Sequence, residues 1–188
     1  VRSGMVATES DTELARGEAV PSFELPGVDG EYALSDFDDN DAVLVVFTCN
    51  HCPYAKAKFD LLNDIAATYD DCAVVGINPN DAEEYPEDSV EKMAAYVERG
   101  EVAYDAYLRD ESQSVARSYG AVCTPDPFLL RNDEGTFRLA YNGRLDDALN
   151  PDDEVTTVYI RDAINSVPAG EPVDIDPGPS RGCSIKWR

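Results

Sequence analysis

Apolar residues along this chain fall into two registers, and the registers predict its elements. Val43-Leu44-Val45-Val46-Phe47 and Cys72-Ala73-Val74-Val75-Gly76-Ile77 are short, continuous, β-branched-rich runs, the pattern of strands buried on both faces. Between them, residues 55–69 place Phe59, Leu62, Ile65, Ala66 and Tyr69 at helical spacing, and Pro53 suits a first turn, where its missing N–H would have no partner. A strand, helix and strand of these lengths predict a parallel pair with a right-handed crossover. Upstream, Pro21-Ser22-Phe23-Glu24-Leu25 alternates, Gly27-Val28-Asp29-Gly30 supplies turn residues and Tyr32-Ala33-Leu34 resumes, which predicts a β-hairpin. Residues 1–19 have little to bury and read as a flexible acidic lead, with at most a short helix over 12–16; residues 1–4, ahead of Met5, are set aside from the fold.

Downstream, Asp88-Ser89 caps a helix running to about residue 99, with Val90, Met93, Ala94 and Val97 on one face and Gly100 closing it. Residues 104–108 form a weaker strand, and 111–119 a short helix ended by Gly120. Within residues 121–130, Pro125 stands at the mouth of an apolar strand. Asn132-Asp133-Glu134-Gly135 turns the chain into a strand over 136–141, and 155–167 is the last helix. The tail, 168–188, is rich in Pro and Gly and ends in Gly182-Cys183-Ser184-Ile185-Lys186-Trp187. A terminus with the only tryptophan beside a cysteine is expected to pack on the 20–167 domain.

Composition fits one domain: 188 residues, 43% hydrophobic, can bury a sizeable core. Charge changes the picture more. Thirty-eight Asp and Glu against fifteen Lys and Arg give −23, yet the acids are spread among apolar segments, so the surface is acidic and the chain folded. Asp38-Asp39-Asn40-Asp41 reads as a solvated turn rather than a metal loop. Only four of the fifteen cations are lysine, a balance like that of salt-accumulating halophiles. Such a charge argues against nucleic acid or an anionic membrane as partners. Nothing approaches the ~18 apolar residues of a membrane span, and no signal-peptide pattern opens the chain, so a cytoplasmic location is expected. Five cysteines, an odd number, do not suggest a disulfide-stapled secreted domain.

The candidate chemistry lies where the first buried run meets its helix: Phe47-Thr48-Cys49-Asn50-His51-Cys52-Pro53-Tyr54, with two thiols and the only histidine. A thiol at a helix N-terminus is expected to have a lowered pKa, and His51 as an imidazolium would lower it further. Cys49 is then the attacking thiolate, and Cys52, a turn into the helix, resolves the mixed disulfide by closing a Cys49–Cys52 bridge. His51 is equally open to an ordinary surface reading. A zinc site drawing on Cys72, Cys123 or Cys183 is the competing use, but a pair that follows a buried strand and opens a helix favours redox chemistry, with no metal and no cofactor. Cys72 reads as a small buried hydrophobe.

The order of elements resembles the thioredoxin fold, an α/β fold with a central mixed sheet flanked by helices, here with an N-terminal hairpin and a docked C-terminal tail. More closely, the chain resembles peroxiredoxin-like redoxins of the alkyl hydroperoxide reductase/thiol-specific antioxidant superfamily, in Phe47 to Tyr54, Tyr119-Gly120-Ala121-Val122-Cys123-Thr124-Pro125, Gly143-Arg144-Leu145-Asp146-Asp147 and the closing Gly182 to Trp187. The resemblance implies that Pro125 is a cis-proline facing the Cys-x-x-Cys pair and that Thr124 offers its backbone to a protein or small-molecule thiol or disulfide substrate. Cys123 then lies near the pair, as an extra resolving thiol or a pocket filler, and Cys183 is a docked-tail residue or a further redox thiol. The peroxiredoxin pattern Pro-x-x-x-Thr-x-x-Cys is absent: Val46 and Ala42 precede Cys49, and Cys49 and Val45 precede Cys52, at those positions. Thiol-disulfide exchange is therefore the first expectation and thiol peroxidase activity the second. A metal-binding module using Cys49, Cys52 and His51, or a scaffold with an idle disulfide, are the readings from other classes.

Overall fold

A computed structural model describes residues 7–188. Residues 1–4, set aside above, lie outside the described residues. The centre is a seven-stranded mixed sheet in the order β3-β2-β6-β5-β4-β8-β9, made of β2 (Glu24–Gly27), β3 (Gly30–Ala33), β4 (Ala42–Phe47), β5 (Cys72–Asn78), β6 (Ala106–Arg109), β8 (Asp126–Asp133) and β9 (Thr136–Asn142). β4, β5 and β6 run parallel, with Val43 opposite Ala73 and Phe47 opposite Ile77, whereas β8 lies antiparallel to β4. This is a thioredoxin fold.

Strand β4 is central because every one of its six residues is buried, so each face needs its own cover. Val43, Val45 and Phe47 enter a core with Phe128, Leu130 and, from helix α4 (Ser114–Tyr119), Val115, Ala116 and Tyr119. Ala42, Leu44 and Val46 face the opposite core, closed by Leu62 and Ile65 of helix α2 (Phe59–Thr68) and by Ile160, Ala163 and Ile164 of helix α5 (Tyr159–Ser166). Side chains that alternate between two cores contribute roughly 1.5–3 kcal/mol each, and a one-residue slip would exchange the faces. The helix expected over 55–69 is broken: α1 (Pro53–Lys56) is one turn, and the chain steps through φ −105°, ψ 0° at Lys58 before α2. The step leaves the Lys58 ammonium on Asp146 Oδ1 at 2.6 Å and on the Ala148 carbonyl. Ser89 caps helix α3 (Val90–Glu98), accepting from the Lys92 N–H, and Glu134-Gly135, both at positive φ, turn β8 into β9.

A second, three-stranded sheet, β1-β10-β7, holds the tail. β10 (Arg181–Ser184) lies between β1 (Ala7–Glu9) and the two-residue β7 (Cys123–Thr124), antiparallel to both. From residue 7 the lead is engaged through β1, and no helix forms over 12–16. Besides β1, Thr12 Oγ1 donates to the Tyr119 carbonyl and Arg16 to the carbonyls of Val173 and Ile175. Among the described residues no helix is long and apolar enough to cross a membrane.

Candidate active site

β4 ends at Phe47 and α1 begins at Pro53 with Cys52 as its N-cap, so Thr48 to Cys52 form the turn that carries the thiols. Both cysteines are buried: Cys49 and Cys52 are each 0% exposed and pack with Ala55 and Cys183 into one cluster, which Tyr54 partly covers. The bridge expected within Cys-x-x-Cys is not the one present. Cys52 is bonded to Cys183, 131 residues away, and Cys49 is a free thiol. The Thr124–Pro125 bond is cis, and Thr124 reaches both sulfurs: its Oγ1 lies 3.4 Å from Cys49 Sγ and its carbonyl 3.6 Å from Cys52 Sγ. The backbone of Thr124 is not open to a substrate, however, because it is paired with Cys183 of β10.

The expected low pKa of Cys49 is also corrected. Its thiol is pushed up to about 12, first by burial and then by the charge of Asp88, while hydrogen bonds from Thr124 and the backbone at Cys52 and His51 pull the other way. A single helical turn has little dipole to offset full desolvation. His51 does not stand beside Cys49 as a lone cation either. Its Nδ1 meets Asp88 Oδ2 at 2.5 Å, and its ring stacks on Tyr85 with centroids 5.1 Å apart. Its Nε2 is buried with no hydrogen-bond partner among the described residues.

Asp88 is the residue that the sequence reading missed. It is 0% exposed, and its Oδ1 accepts from the Asn50 N–H and Asn78 Nδ2, its Oδ2 from Asn80 Nδ2 as well as His51. Burial alone would raise its carboxyl; the bond and charge of His51, then Asn80 and the Asn50 N–H, hold it below the ordinary carboxylate value. Asn50, inside the Cys-x-x-Cys turn, is clamped in turn by Tyr107, whose hydroxyl donates to Asn50 Oδ1 at 2.6 Å. A ring nitrogen of His51, a carboxylate oxygen of Asp88 and Cys49 Sγ lie within 4.8 Å of one another, a donor set of the kind zinc accepts. Both Asp88 oxygens are already hydrogen-bonded, to Asn50, Asn78, Asn80 and His51, and Cys49 Sγ lies beside this network with Thr124 Oγ1 as its own side-chain partner.

The other thiols are separate. Cys123 is buried on β7 with its Sγ 3.7 Å from the Pro125 carbonyl, outside the three-cysteine cluster, and burial raises its thiol well above the ordinary value. Cys72 packs in the core beneath α2 and α5. Tyr54 also lines a small surface cleft with Lys58, Pro125, Arg144, Asp146, Ser180 and Arg181, where the Gly143 to Asp147 motif meets the tail.

A thioredoxin fold with buried cysteines at the end of β4, opposite Thr124–Pro125, defines a redoxin. Residues 16–143 match the AhpC/TSA family, and the chain belongs to that family. It is similar over 98% of both chains to the crystal structure of an uncharacterized conserved protein from Geobacillus kaustophilus, with 39% identity and a TM-score of 0.89. A hypothetical protein from Sinorhizobium meliloti 1021 is 38% identical over 96% of this chain and 98% of that one, with a TM-score of 0.84. A chain from Chlorobium tepidum, named for the thiol:disulfide interchange protein DsbE, is 25% identical over 68% of this chain and 84% of its own, with a TM-score of 0.56. No curated protein matches.

Proposed function

We propose that the protein is a thiol-disulfide oxidoreductase in which Cys49 opens the exchange and Cys52 resolves it. The observation that carries this is the placement of a free Cys49 thiol in one packed cluster with Cys52, within reach of the His51–Asp88 pair. A thiol held near a pKa of 12 needs a base, and His51, oriented by Asp88, is the group placed to accept the proton. The Cys49 thiolate attacks one sulfur of a substrate disulfide, whose other sulfur leaves as a thiol. Once a dithiol has reduced the Cys52–Cys183 bridge, Cys52 as a thiolate attacks Cys49, releasing the second substrate thiol and leaving Cys49–Cys52 oxidised. The cleft lined by Tyr54, Pro125 and Arg181 borders the cysteine cluster through Tyr54 and is the proposed approach, and thiol-disulfide exchange itself requires no cofactor.

Peroxidase activity is the second reading, favoured by one contact. The peroxiredoxin threonine is missing from the local pattern, but Thr124 brings a hydroxyl to 3.4 Å from Cys49 Sγ from another strand. Parallel assays in dithiothreitol separate the two: reduction of a protein disulfide such as insulin, and consumption of hydrogen peroxide. Insulin reduction that disappears in Cys49→Ser supports exchange; peroxide consumption without insulin reduction makes the protein a peroxidase.

A further inference from the structure

We propose that Cys183 is a working redox thiol of this site, with Cys52 the shared sulfur of two alternative disulfides, one to Cys49 and one to Cys183. The proposal rests on the reading of the Cys-x-x-Cys pair as redox-active and adds a third catalytic sulfur to it. Cys49, Cys52 and Cys183 are exposed by 0%, 0% and 1% and pack together, so the sulfur arriving from the tail joins the two already at the end of β4.

The tail is fastened to the groups that build the site, on both sides of Cys183. A Cβ on Gly182 would lie 1.9 Å from the Thr124 carbonyl oxygen and 2.9 Å from the Pro125 nitrogen, so only glycine lets β10 come this close to the Thr124–Pro125 peptide. Ser180 Oγ donates to the Pro125 carbonyl at 2.8 Å, and Ser184 pairs with Cys123. The Lys186 N–H donates to Asn80 Oδ1 at 2.8 Å, and the same Asn80 donates through Nδ2 to Asp88, the partner of His51. A staple could anchor the tail anywhere along the core; this one delivers its sulfur beside the only other two that meet.

The exchange is a rearrangement without net oxidation. After substrate reduction has produced Cys49–Cys52, Cys183 gives up its proton and its thiolate attacks Cys52 Sγ. The Cys52–Cys183 bond forms, the Cys49–Cys52 bond breaks, and Cys49 leaves with the electron pair and takes up a proton, so the proton count is unchanged. The oxidising equivalent now sits on the tail, and Cys49 is again the free thiol seen in the structure. A dithiol reductant closes the cycle: it becomes a disulfide, and Cys52 and Cys183 each regain a hydrogen.

The test starts from fully reduced full-length protein mixed with one equivalent of a peptide disulfide, quenched by alkylation at intervals and mapped by mass. Cys49–Cys52 is expected to appear first and convert to Cys52–Cys183. Cys183→Ser and Cys183→Ala are expected to stop at Cys49–Cys52 and to slow turnover with dithiothreitol at least about tenfold, the loss of a positioned intramolecular thiol. A Cys49–Cys52 bridge that forms in the wild type and persists overturns the proposal, as does a Cys52–Cys183 bridge that stays intact in every molecule during turnover. If no Cys49–Cys52 bridge forms and Cys49→Ser turns over at the wild-type rate, the redox reading of the pair itself falls, and the proposal with it.

Discussion

Asp88 holds His51 at 2.5 Å and, from the same position, sets its negative charge against the Cys49 thiol. One carboxylate thus steadies His51 and disfavours the Cys49 thiolate. Burial and the Asp88 charge favour Cys49 as a thiol, and in the proposed exchange its proton passes to His51. Replacing His51 with Gln should lower the rate of exchange with dithiothreitol at pH 7 by roughly a hundredfold. The deficit should shrink as the pH is raised towards the Cys49 pKa, where hydroxide does the work of the base. A deficit equal at all pH values would assign His51 a packing role.

Asp126 carries the opposite burden from Asp88. It is fully buried, Oδ1 accepts from Ser10 and Asn142, and Oδ2 has no partner among the described residues. Burial pushes its carboxyl up to about 6 against hydrogen bonds that pull it down. An acid whose folded pKa is raised favours the folded state while protonated, so its cost is absent below about pH 4 and complete above about pH 6. Asp126→Asn should therefore stabilise the protein at pH 7 by on the order of 2–3 kcal/mol, and the gain should vanish at pH 4. Urea unfolding at the two pH values reads both numbers.

Gly182 fixes how closely the tail sits. In Gly182→Ala the new Cβ meets backbone atoms of Thr124 and Pro125 rather than a side chain that can swing away. The cost should be roughly 1–3 kcal/mol, or about 3–10 °C in melting temperature. Limited proteolysis should cut first after residue 168. An unchanged melting temperature would mean that β7 and β10 separate easily.

A net charge of −23 should make stability depend on salt. The Debye length falls from about 10 Å at 0.1 M to about 3 Å at 1 M, which removes most repulsion between surface carboxylates. The urea midpoint should rise between 0.1 M and 2 M KCl. A flat response would mean that the acids are spaced or paired well enough to repel little.

The fold was legible where side chains carry it. Val43 to Phe47 and Cys72 to Ile77 must be buried on two faces, and the Ser89 cap and the Glu134-Gly135 turn have local chemistry. β1 was not legible, because Ala7–Glu9 joins β10 through its backbone while its side chains bury little. The turn with Cys49, His51 and Cys52 stood out, but its surroundings did not. Asp88 is one acid among thirty-eight, 37 residues from His51, and its local setting reads as a helix cap beside Ser89 rather than as a partner of the histidine. The Cys52–Cys183 connection spans 131 residues and follows from how the tail returns to β7. The sign of the Cys49 shift was misjudged because helix position can be read from spacing, whereas complete burial can be read only from the packed structure.

The most direct measurement is a trap. Cys52→Ser removes the resolving sulfur, so a substrate disulfide that enters exchange should remain bonded to the thiol that attacked it. Reduced Cys52→Ser protein mixed with a peptide disulfide should carry the peptide on Cys49, located by mass mapping of the digest. Peptide found on Cys123 or Cys183, with Cys49 unmodified, would show that the buried thiol between Thr124 and the His51–Asp88 pair does not open the reaction.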